Sequence, residues 1–314
     1  MDYFLRLSGE HPTLAEAEVA AVLESYQREF SLKAVGDRWF LVSTEADPLF
    51  ASRPAFTQKA YQVVSFANSL AELTGDLYDV LCDFDSFRID DAPGGVRNQL
   101  GGRLSDLDLK VDLSNPSQRV GVVEVDGFFA AGLRMPVAGG FESRKPQFRP
   151  YFHPTSMHPK YARALVNLSR VDASSLLLDP FCGAGGILIE AALMGVESVG
   201  WDIDERMVEG CRENLKFLGL EGEVRLADAL SPQGEVFDAC ATDPPYGRSS
   251  YTSVETRELY NRFIGNASNF LSQGFLVLVV PDFIDLDSGD FGVEDVFNVR
   301  VHKSLTRKIF VLRK

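Results

Sequence analysis

The chain has 314 residues, of which 45% are hydrophobic and 24% charged, a balance typical of a globular protein. This length favours two domains over one. A basic, apolar leader and an apolar run of about 18 residues are both missing, which predicts no signal peptide and no membrane span. The cysteines form no C-x-x-C pair, so we expect neither a zinc site nor disulfides, and a cytoplasmic protein without a metal.

The formal net charge is −14, which argues against a surface that is basic throughout. Basic residues are nevertheless concentrated in two segments, 134–163 and 300–314. Salt screens charges beyond roughly 8–10 Å, so a local basic patch can contact phosphates even on an acidic protein. The alternative interpretation is an ordinary solvated surface.

The N-terminal half predicts an α+β fold with hairpins and no βαβ array. Apolar residues at helical spacing predict its helices, and Gly36-Asp37 predicts the turn of a hairpin. In chain order we predict a strand at 2–7, a helix at 13–27, a hairpin at 30–42, a helix at 70–83, and strands from 86, at 110–113 and at 120–125.

A proline-rich segment, 136–159, reads as a linker, and the pattern changes after it. Helices then alternate with short apolar strands, which predicts a parallel sheet covered by helices on both faces. The predicted strands lie at 175–178, 198–201, 223–226, 237–241 and 275–280. A closing hairpin, 299–302 and 309–312, would add an antiparallel edge.

The first predicted strand of this second half is followed by Asp179 and then by a glycine-rich turn containing Gly183 and Gly185. Glycines let a ligand approach the backbone closely, and the following helix offers free N–H groups. The spacing is neither that of G-x-G-x-x-G nor that of a P-loop. The next two strands end at Asp202 and near Asp228, where carboxylates can accept from ribose hydroxyls and from an adenine amine. Capping of loops and helices is the alternative role for these two acids.

The most specific motif is Asp243-Pro244-Pro245-Tyr246, at the end of the fourth strand. Two prolines stiffen the turn and donate no N–H, so their carbonyls stay free to accept. An aromatic amino nitrogen is a poor nucleophile. Two acceptors for its N–H bonds, the Asp243 carboxylate and the Pro244 carbonyl, would make it more nucleophilic, and Asp243 would take the proton. Tyr246 would stack on a flipped base. A purely structural proline turn is the alternative.

Residues 158–314 resemble the class I S-adenosylmethionine-dependent methyltransferases, which have a Rossmann-like α/β fold. The resemblance implies S-adenosyl-L-methionine as cofactor, with its methionine part beside Asp179 and the glycine turn. The residues implied at the cofactor are Asp179, Phe181, Gly183, Gly185, Asp202, Ile203, Asp228, Ala229, Asp243 and His153.

The segments Ser86–Ile89 and Lys110–Pro116 resemble the THUMP domain of RNA-modifying enzymes. With the Arg144–His153 region, Asp243–Ser249 and His302–Arg307, nearly the whole chain resembles the archaeal tRNA guanine-10 N2-methyltransferases. This resemblance implies a ferredoxin-like domain at 1–55, a THUMP domain at 56–137, a linker at 138–157 and a methyltransferase domain at 158–314. Where that family is basic after Ile89, this chain has Asp90-Asp91.

The implied activity is methylation of the N2 amine of guanosine 10 in tRNA, giving N2-methylguanosine or N2,N2-dimethylguanosine. The implied RNA contacts are Arg88, Lys110, Arg144, Lys145, Arg149, Arg248, Lys303 and Arg307. The alternatives are the same chemistry on ribosomal RNA guanine, DNA adenine or a protein glutamine amide, and a non-catalytic RNA-binding protein. We expect a monomer that needs no protein partner and no membrane.

Overall fold

The computed structural model describes residues 1–231, 234–246, 253–271, 273–302 and 305–314. The chain forms two compact units. The first comprises Met1–Glu16 and Tyr26–Ala138, and the second Ala17–Ser25 and Gly139–Lys314. Within the described residues, no helix has the length and apolarity needed to cross a membrane.

The first unit is built on a seven-stranded sheet with the strand order β2-β3-β1-β4-β7-β6-β5. Helices α2 and α3 cover an apolar cluster on this sheet that includes Leu77, Phe87 and Leu100. The strands are β1 (Asp2–Leu7), β2 (Phe30–Gly36), β3 (Trp39–Thr44), β4 (Thr57–Ala67), β5 (Phe87–Asp91), β6 (Gln118–Val125) and β7 (Phe128–Met135). The helices are α1 (Pro12–Ser25), which enters the second unit at Ala17, α2 (Leu70–Leu81) and α3 (Val96–Ser105).

The two domains predicted within residues 1–137 share this one sheet. Strand β4 pairs antiparallel with β1, with Phe4 opposite Tyr61, and with β7 on its other side. The predicted boundary at 55/56 therefore lies just before a central strand. The division into ferredoxin-like and THUMP domains stays a prediction. The sequence patterns missed β4 and α3.

The strand predicted at 110–113 is wrong. Val111 forms only an isolated bridge with Phe87. One residue later, Asp112 Oδ1 accepts from the backbone N–H groups of Ser114 and Asn115, both over 2.9 Å. This local hydrogen bonding turns the chain away before a ladder can form.

The second unit has a seven-stranded sheet with the order β10-β9-β8-β11-β12-β14-β13. The first five strands in that order are parallel to one another. Strand β14 pairs antiparallel with both β12 and β13, which forms the predicted antiparallel edge. The strands are β8 (Leu176–Asp179), β9 (Glu197–Asp202), β10 (Glu223–Leu226), β11 (Ala239–Thr242), β12 (Phe275–Pro281), β13 (Gly292–His302) and β14 (Leu305–Arg313). The helices are α4 (Pro159–Leu168), α5 (Gly186–Leu193), α6 (Glu205–Phe217) and α7 (Ser253–Phe270).

The core of this unit is aromatic. Trp201, Phe237, Phe263 and Phe270 are each at most 3% exposed and stack edge-to-face or tilted with one another. The predicted linker 138–157 contains a short 3₁₀ turn, Pro146–Phe148, and belongs almost entirely to this unit.

The order of the strands reverses at β8. The chain passes from β8 to β9 and β10 on one side, and then returns to place β11 on the other side. Ligands of open α/β sheets bind outside the carboxyl ends of the strands at such a switch point. Asp179, which ends β8, and Asp243, which follows β11, therefore lie where a ligand is expected.

Candidate active site

Asp179 is buried at the carboxyl end of β8, with 1% of its surface exposed. Its Oδ1 accepts from the Thr242 hydroxyl over 2.7 Å and from the Phe181 N–H over 3.3 Å. Burial, assisted by the charges of Asp202 and Asp243, raises the pKa of Asp179 to about 7. Thr242 ends β11, so this hydrogen bond joins the two strands at the switch point.

The glycine-rich turn after β8 has the left-handed backbone that its sequence predicts. Gly183 has φ +50° and Gly185 has φ +83°. A Cβ on Gly185 would lie 2.5 Å from Cys211 Sγ on α6, whereas a Cβ on Gly183 would meet open space. Close packing thus requires glycine at 185, and Gly183 leaves room beside the crevice.

Asp202, at the end of β9, is held by two backbone donors. Gly183 N donates to its Oδ2 and Asp204 N to its Oδ1, each over 2.9 Å. Burial raises the pKa of this carboxyl above its ordinary value. The next side chain, Ile203, is 75% exposed and so offers an apolar surface at the same edge. The loop and the carboxylate are therefore held together before any ligand arrives.

Asp228, shortly after β10, is exposed and its Oδ1 accepts from Leu230 N over 2.8 Å. This bond is the loop-capping role given above as the alternative for Asp228, and no described backbone N–H of that turn donates to Oδ2. Ala229 beside it is 2% exposed and packs in the aromatic core.

Asn214 of α6 is a residue that sequence patterns missed. It is fully buried, and its Nδ2 donates to the carbonyls of Tyr151 and Ala184, both over 3.0 Å. Its Oδ1 accepts from Tyr151 N over 3.0 Å. These bonds fasten the segment before α4 to the glycine-rich turn. His153 lies two residues beyond Tyr151, and its Nδ1 is 2.8 Å from Thr155 Oγ1.

The Asp243-Pro244-Pro245-Tyr246 motif follows β11 directly. The Tyr246 hydroxyl donates to Asp243 Oδ1, and the Tyr260 hydroxyl of α7 lies 3.5 Å from the Pro244 carbonyl oxygen. Burial raises the pKa of Asp243 and that of Tyr246. Pro245 is exposed. The motif thus presents a carboxylate and a carbonyl at the edge where Asp179 ends its strand.

Two of the residues predicted to contact RNA point inward instead. Arg144 is 12% exposed and forms a two-pronged ion pair with Glu190, with its Nε 2.7 Å from Oε1 and its Nη2 2.9 Å from Oε2. Arg149 is 5% exposed, and its Nε donates to the Arg144 carbonyl over 3.0 Å. Arg149 is buried and Arg144 is largely so, and the RNA contact of these two residues stays a prediction.

The other predicted RNA contacts of this unit are distributed differently. Lys145 pairs with Glu142 at the surface. Arg307 lies on β14 beside the Asp243-Pro244-Pro245-Tyr246 motif, with Nη1 3.4 Å from Asp243 Oδ2. Arg248 and Lys303 lie outside the described residues.

A basic pocket of about 560 Å³ opens in the first unit. Arg88, one of the predicted RNA contacts, lines it, while Lys110 is exposed elsewhere on the unit. Asp90 pairs with Arg88 Nε over 3.0 Å and with Arg119 Nη1 over 3.2 Å. The basic side chains that line the pocket are Lys59, Arg88, Arg119 and Arg134.

The acids at 90 and 91 therefore do not make this pocket acidic. Asp90 lies between two arginines, and Asp91 pairs with Lys59 Nζ over 2.7 Å and accepts from the Tyr61 hydroxyl. Arg134 lies over the Tyr61 ring, 5.3 Å from its centroid. The two carboxylates orient the cations, and the lining keeps a net positive charge.

Comparison with known proteins agrees with this architecture. The RMKL-like methyltransferase domain family matches residues 146–309. The chain is 37% identical to the tRNA (guanine(10)-N2)-dimethyltransferase of Methanothermobacter thermautotrophicus, with both chains covered completely. It is 32% identical to the enzyme of the same name from Pyrococcus abyssi, over 99% of each chain. The crystal structure of TrmN from Thermus thermophilus has the same fold, with a TM-score of 0.55, 21% identity and complete coverage of both chains. The predicted α/β class with a methyltransferase domain is confirmed.

Proposed function

Since the chain belongs to the family of the tRNA (guanine(10)-N2)-dimethyltransferases, we propose that it methylates the N2 amine of guanosine 10 in tRNA. One observation carries this proposal. The Asp243 carboxylate and the Pro244 carbonyl, two acceptors for an amino group, follow β11 at the switch point where the cofactor crevice lies.

S-adenosylmethionine fits the carboxyl edge of the second sheet. Asp202 is pre-oriented by Gly183 N and Asp204 N, and each of its oxygens keeps a lone pair for a ribose hydroxyl. Ile203 supplies an exposed apolar surface for the adenine ring, and Asp228 Oδ2 an acceptor for the adenine amine. The open space at Gly183 leaves room for the methionine part. When bound, the cofactor supplies an electrophilic methyl group on a positively charged sulfur.

The chain's own residues then prepare the acceptor nitrogen. Asp243 would accept one N–H of the guanine amine and Pro244 O the other, which favours a pyramidal nitrogen with an available lone pair. Asp243 takes the proton that the nitrogen loses when the methyl group exchanges its bond to sulfur for a bond to nitrogen. Positioning the two reactants in line supplies much of the rate enhancement. Tyr246 must give up its hydrogen bond to Asp243 Oδ1 or share that oxygen when the amine arrives.

Recognition of the tRNA involves the first unit in this proposal. The basic pocket offers Lys59, Arg88, Arg119 and Arg134 to phosphates. Phosphate contacts carry no base information but fix the register of a nucleic acid on the protein. They would help to select which guanosine reaches Asp243. A tRNA substrate also implies a cytoplasmic enzyme, and we propose that it works as a monomer.

The test is to incubate the purified protein with S-adenosylmethionine labelled on the methyl group and an unmodified tRNA transcript, and then to analyse the nucleosides. We expect label in N2-methylguanosine or N2,N2-dimethylguanosine, lost when guanosine 10 is replaced by adenosine. The Asp243→Ala variant should bind tRNA but transfer no methyl group.

Two other outcomes overturn the proposal in different ways. Label in ribosomal RNA guanine or in DNA adenine, with none in tRNA, would keep the chemistry and change the substrate. Label in none of these, with tRNA binding intact, would identify an RNA-binding protein without transferase activity.

A further inference from the structure

Arg307 reaches the catalytic motif through the antiparallel edge of the second sheet. It lies on β14, opposite Pro281 at the carboxyl end of β12. Strand β12 is the parallel neighbour of β11, which leads into Asp243. An antiparallel return therefore places a residue some 60 positions away beside the motif. Only 14% of the Arg307 side chain is exposed.

The guanidinium of Arg307 contacts two members of the motif at once. Its Nη1 is 3.4 Å from Asp243 Oδ2, and its central carbon lies 5.1 Å from the centroid of the Tyr246 ring. Its Nε is buried and has no hydrogen-bond partner among the described residues. A planar cation over an aromatic face restricts both groups.

Together, these contacts engage both oxygens of the Asp243 carboxylate. Tyr246 donates to Oδ1, and Arg307 faces Oδ2. The carboxylate, the ring and the guanidinium thus form a closed triangle in which each member orients the other two. One face of the Tyr246 ring is occupied by Arg307, so a stacked base would have to use the opposite face.

We propose that Arg307 is a positioning residue of the methyl-transfer site, which holds the Asp243 carboxylate and the Tyr246 ring in the orientation that receives the target base. This inference rests on the proposed function. It replaces the predicted role of Arg307 in contacting RNA phosphates, because the guanidinium is largely buried against the motif.

The charge of Arg307 adds a second consequence. Burial raises the pKa of Asp243, whereas Arg307 lowers it. Within the described part of the chain, the other titratable groups facing Asp243 are Tyr246 in the same loop, Tyr260 on α7 and Asp179 on β8. Burial raises the pKa of both tyrosines, so they stay neutral, and Asp179 adds negative charge as it ionises. Among the described residues, Arg307 is therefore the cation that favours the ionised form of Asp243, which is the form that can accept a proton.

The test compares Arg307→Gln and Arg307→Lys with the native protein and with Lys308→Gln. Lys308 is the next residue on β14, and its side chain faces the opposite side of the sheet, so its variant controls for loss of a basic residue. For each protein, kcat and the KM for tRNA are measured against pH, with thermal unfolding and S-adenosylmethionine binding as checks on folding.

We expect Arg307→Gln to lower kcat by about 10- to 100-fold, the size seen when one oriented donor is removed from an active site. The KM for tRNA should stay near the native value, and the acid limb of the kcat profile should move to higher pH. Arg307→Lys should return the acid limb of the kcat profile to its native pH and recover part of kcat. Lys308→Gln should behave as the native protein.

A raised KM with unchanged kcat and an unchanged pH profile would make Arg307 an RNA contact and overturn the proposal. If Arg307→Gln does not fold, the same comparison of kcat with KM is made on Arg307→Lys. A lowered kcat at an unchanged KM for tRNA supports a positioning role, and a raised KM at an unchanged kcat refutes it. Failure of the proposed function is seen separately, because the native protein and Lys308→Gln would then both leave guanosine 10 unmethylated.

Discussion

The hydroxyl of Thr242 donates to Asp179 Oδ1 over 2.7 Å and joins the carboxyl ends of β11 and β8. Asp179 is almost completely buried there, with the charges of Asp202 and Asp243 nearby. The protein thus places three carboxylates close together at the carboxyl edge of the second sheet. The most deeply buried of them holds its proton up to a pH of about 7.

Asp179 should make the stability of the protein depend on pH. Its pKa of about 7 in the folded state lies above the value of about 3.9 in an unfolded chain. Between these values the folded state binds more protons, so the free energy of unfolding falls as pH rises from about 4 to 7. The loss amounts to about 4 kcal/mol at most.

Chemical denaturation of the native protein and of Asp179→Asn across this pH range measures the effect. The difference in unfolding free energy between the native protein and Asp179→Asn should change steeply between about pH 4 and 7 and level off at higher pH. Asp285→Asn, which removes an exposed carboxylate of the same unit, should follow the native curve. Parallel curves for the native protein and Asp179→Asn would show that Asp179 titrates normally.

Glu190 should be essential for the stability of the second unit. It is fully buried and accepts from both Arg144 and Arg163, with Arg163 Nε 2.9 Å from its Oε2. Glu190→Gln would leave two buried guanidinium groups without a counter-charge, at a cost of about 3–5 kcal/mol.

Urea denaturation of Glu190→Gln, compared with Glu24→Gln, tests this expectation. Glu24 pairs with Arg170 over a similar distance, 2.7 Å, but is 43% exposed, so its loss should cost less than about 1 kcal/mol. Equal losses of unfolding free energy in the two variants would mean that burial does not increase the contribution of the Glu190 ion pairs to stability.

The two glycines of the turn after β8 should respond differently to alanine. Both have positive φ, which costs a residue with a Cβ about 1–2 kcal/mol. Only at Gly185 would the added Cβ also overlap Cys211 Sγ, 2.5 Å away, which adds about 1–3 kcal/mol of overpacking. Gly185→Ala should therefore be the less stable variant and should bind S-adenosylmethionine more weakly.

The double variant Gly185→Ala with Cys211→Ala isolates the overlap, because it removes the sulfur and keeps the backbone strain. Its unfolding free energy, corrected for the effect of Cys211→Ala alone, should recover towards that of Gly183→Ala. No recovery would show that strain in the backbone, and not the contact with Cys211, requires glycine at this position.

The basic pocket of the first unit should contribute to tRNA binding without affecting the chemical step. Arg119→Gln removes a cation from its lining, so tRNA affinity should fall. The slope of log K against log salt should become shallower by about 0.7–0.9 for each lost phosphate contact. Turnover at saturating tRNA should be unchanged.

Lys33→Gln is the matched control for the pocket. Lys33 belongs to the same unit and pairs with Asp126, which follows β6 at the end opposite Arg119. A salt slope that changes equally in Arg119→Gln and Lys33→Gln would indicate general attraction by surface charge and not a defined site.

Local sequence patterns predicted the parallel strands of the second unit well. Strand β10 has the predicted bounds, and the bounds of the other parallel strands differ by at most two residues, whereas β13 and β14 begin seven and four residues before the predicted hairpin strands. Strands buried on both faces read as continuous apolar runs, and the acids and glycines that follow them are typical of a ligand-binding edge. The mixed polarity of β4, which has exposed and buried residues without strict alternation, hid that strand.

Local sequence was sufficient to identify the acids at the ends of the strands of the second sheet, and hence to predict that Asp179, Asp202 and Asp243 share an edge. The fold was needed to show that Arg307 lies beside Asp243, that Arg144 and Arg149 point inward, and that residues from four strands form one basic pocket. A strand and its turn are encoded by neighbouring residues. Contacts between distant side chains depend instead on strand order, register and burial, which no local pattern contains.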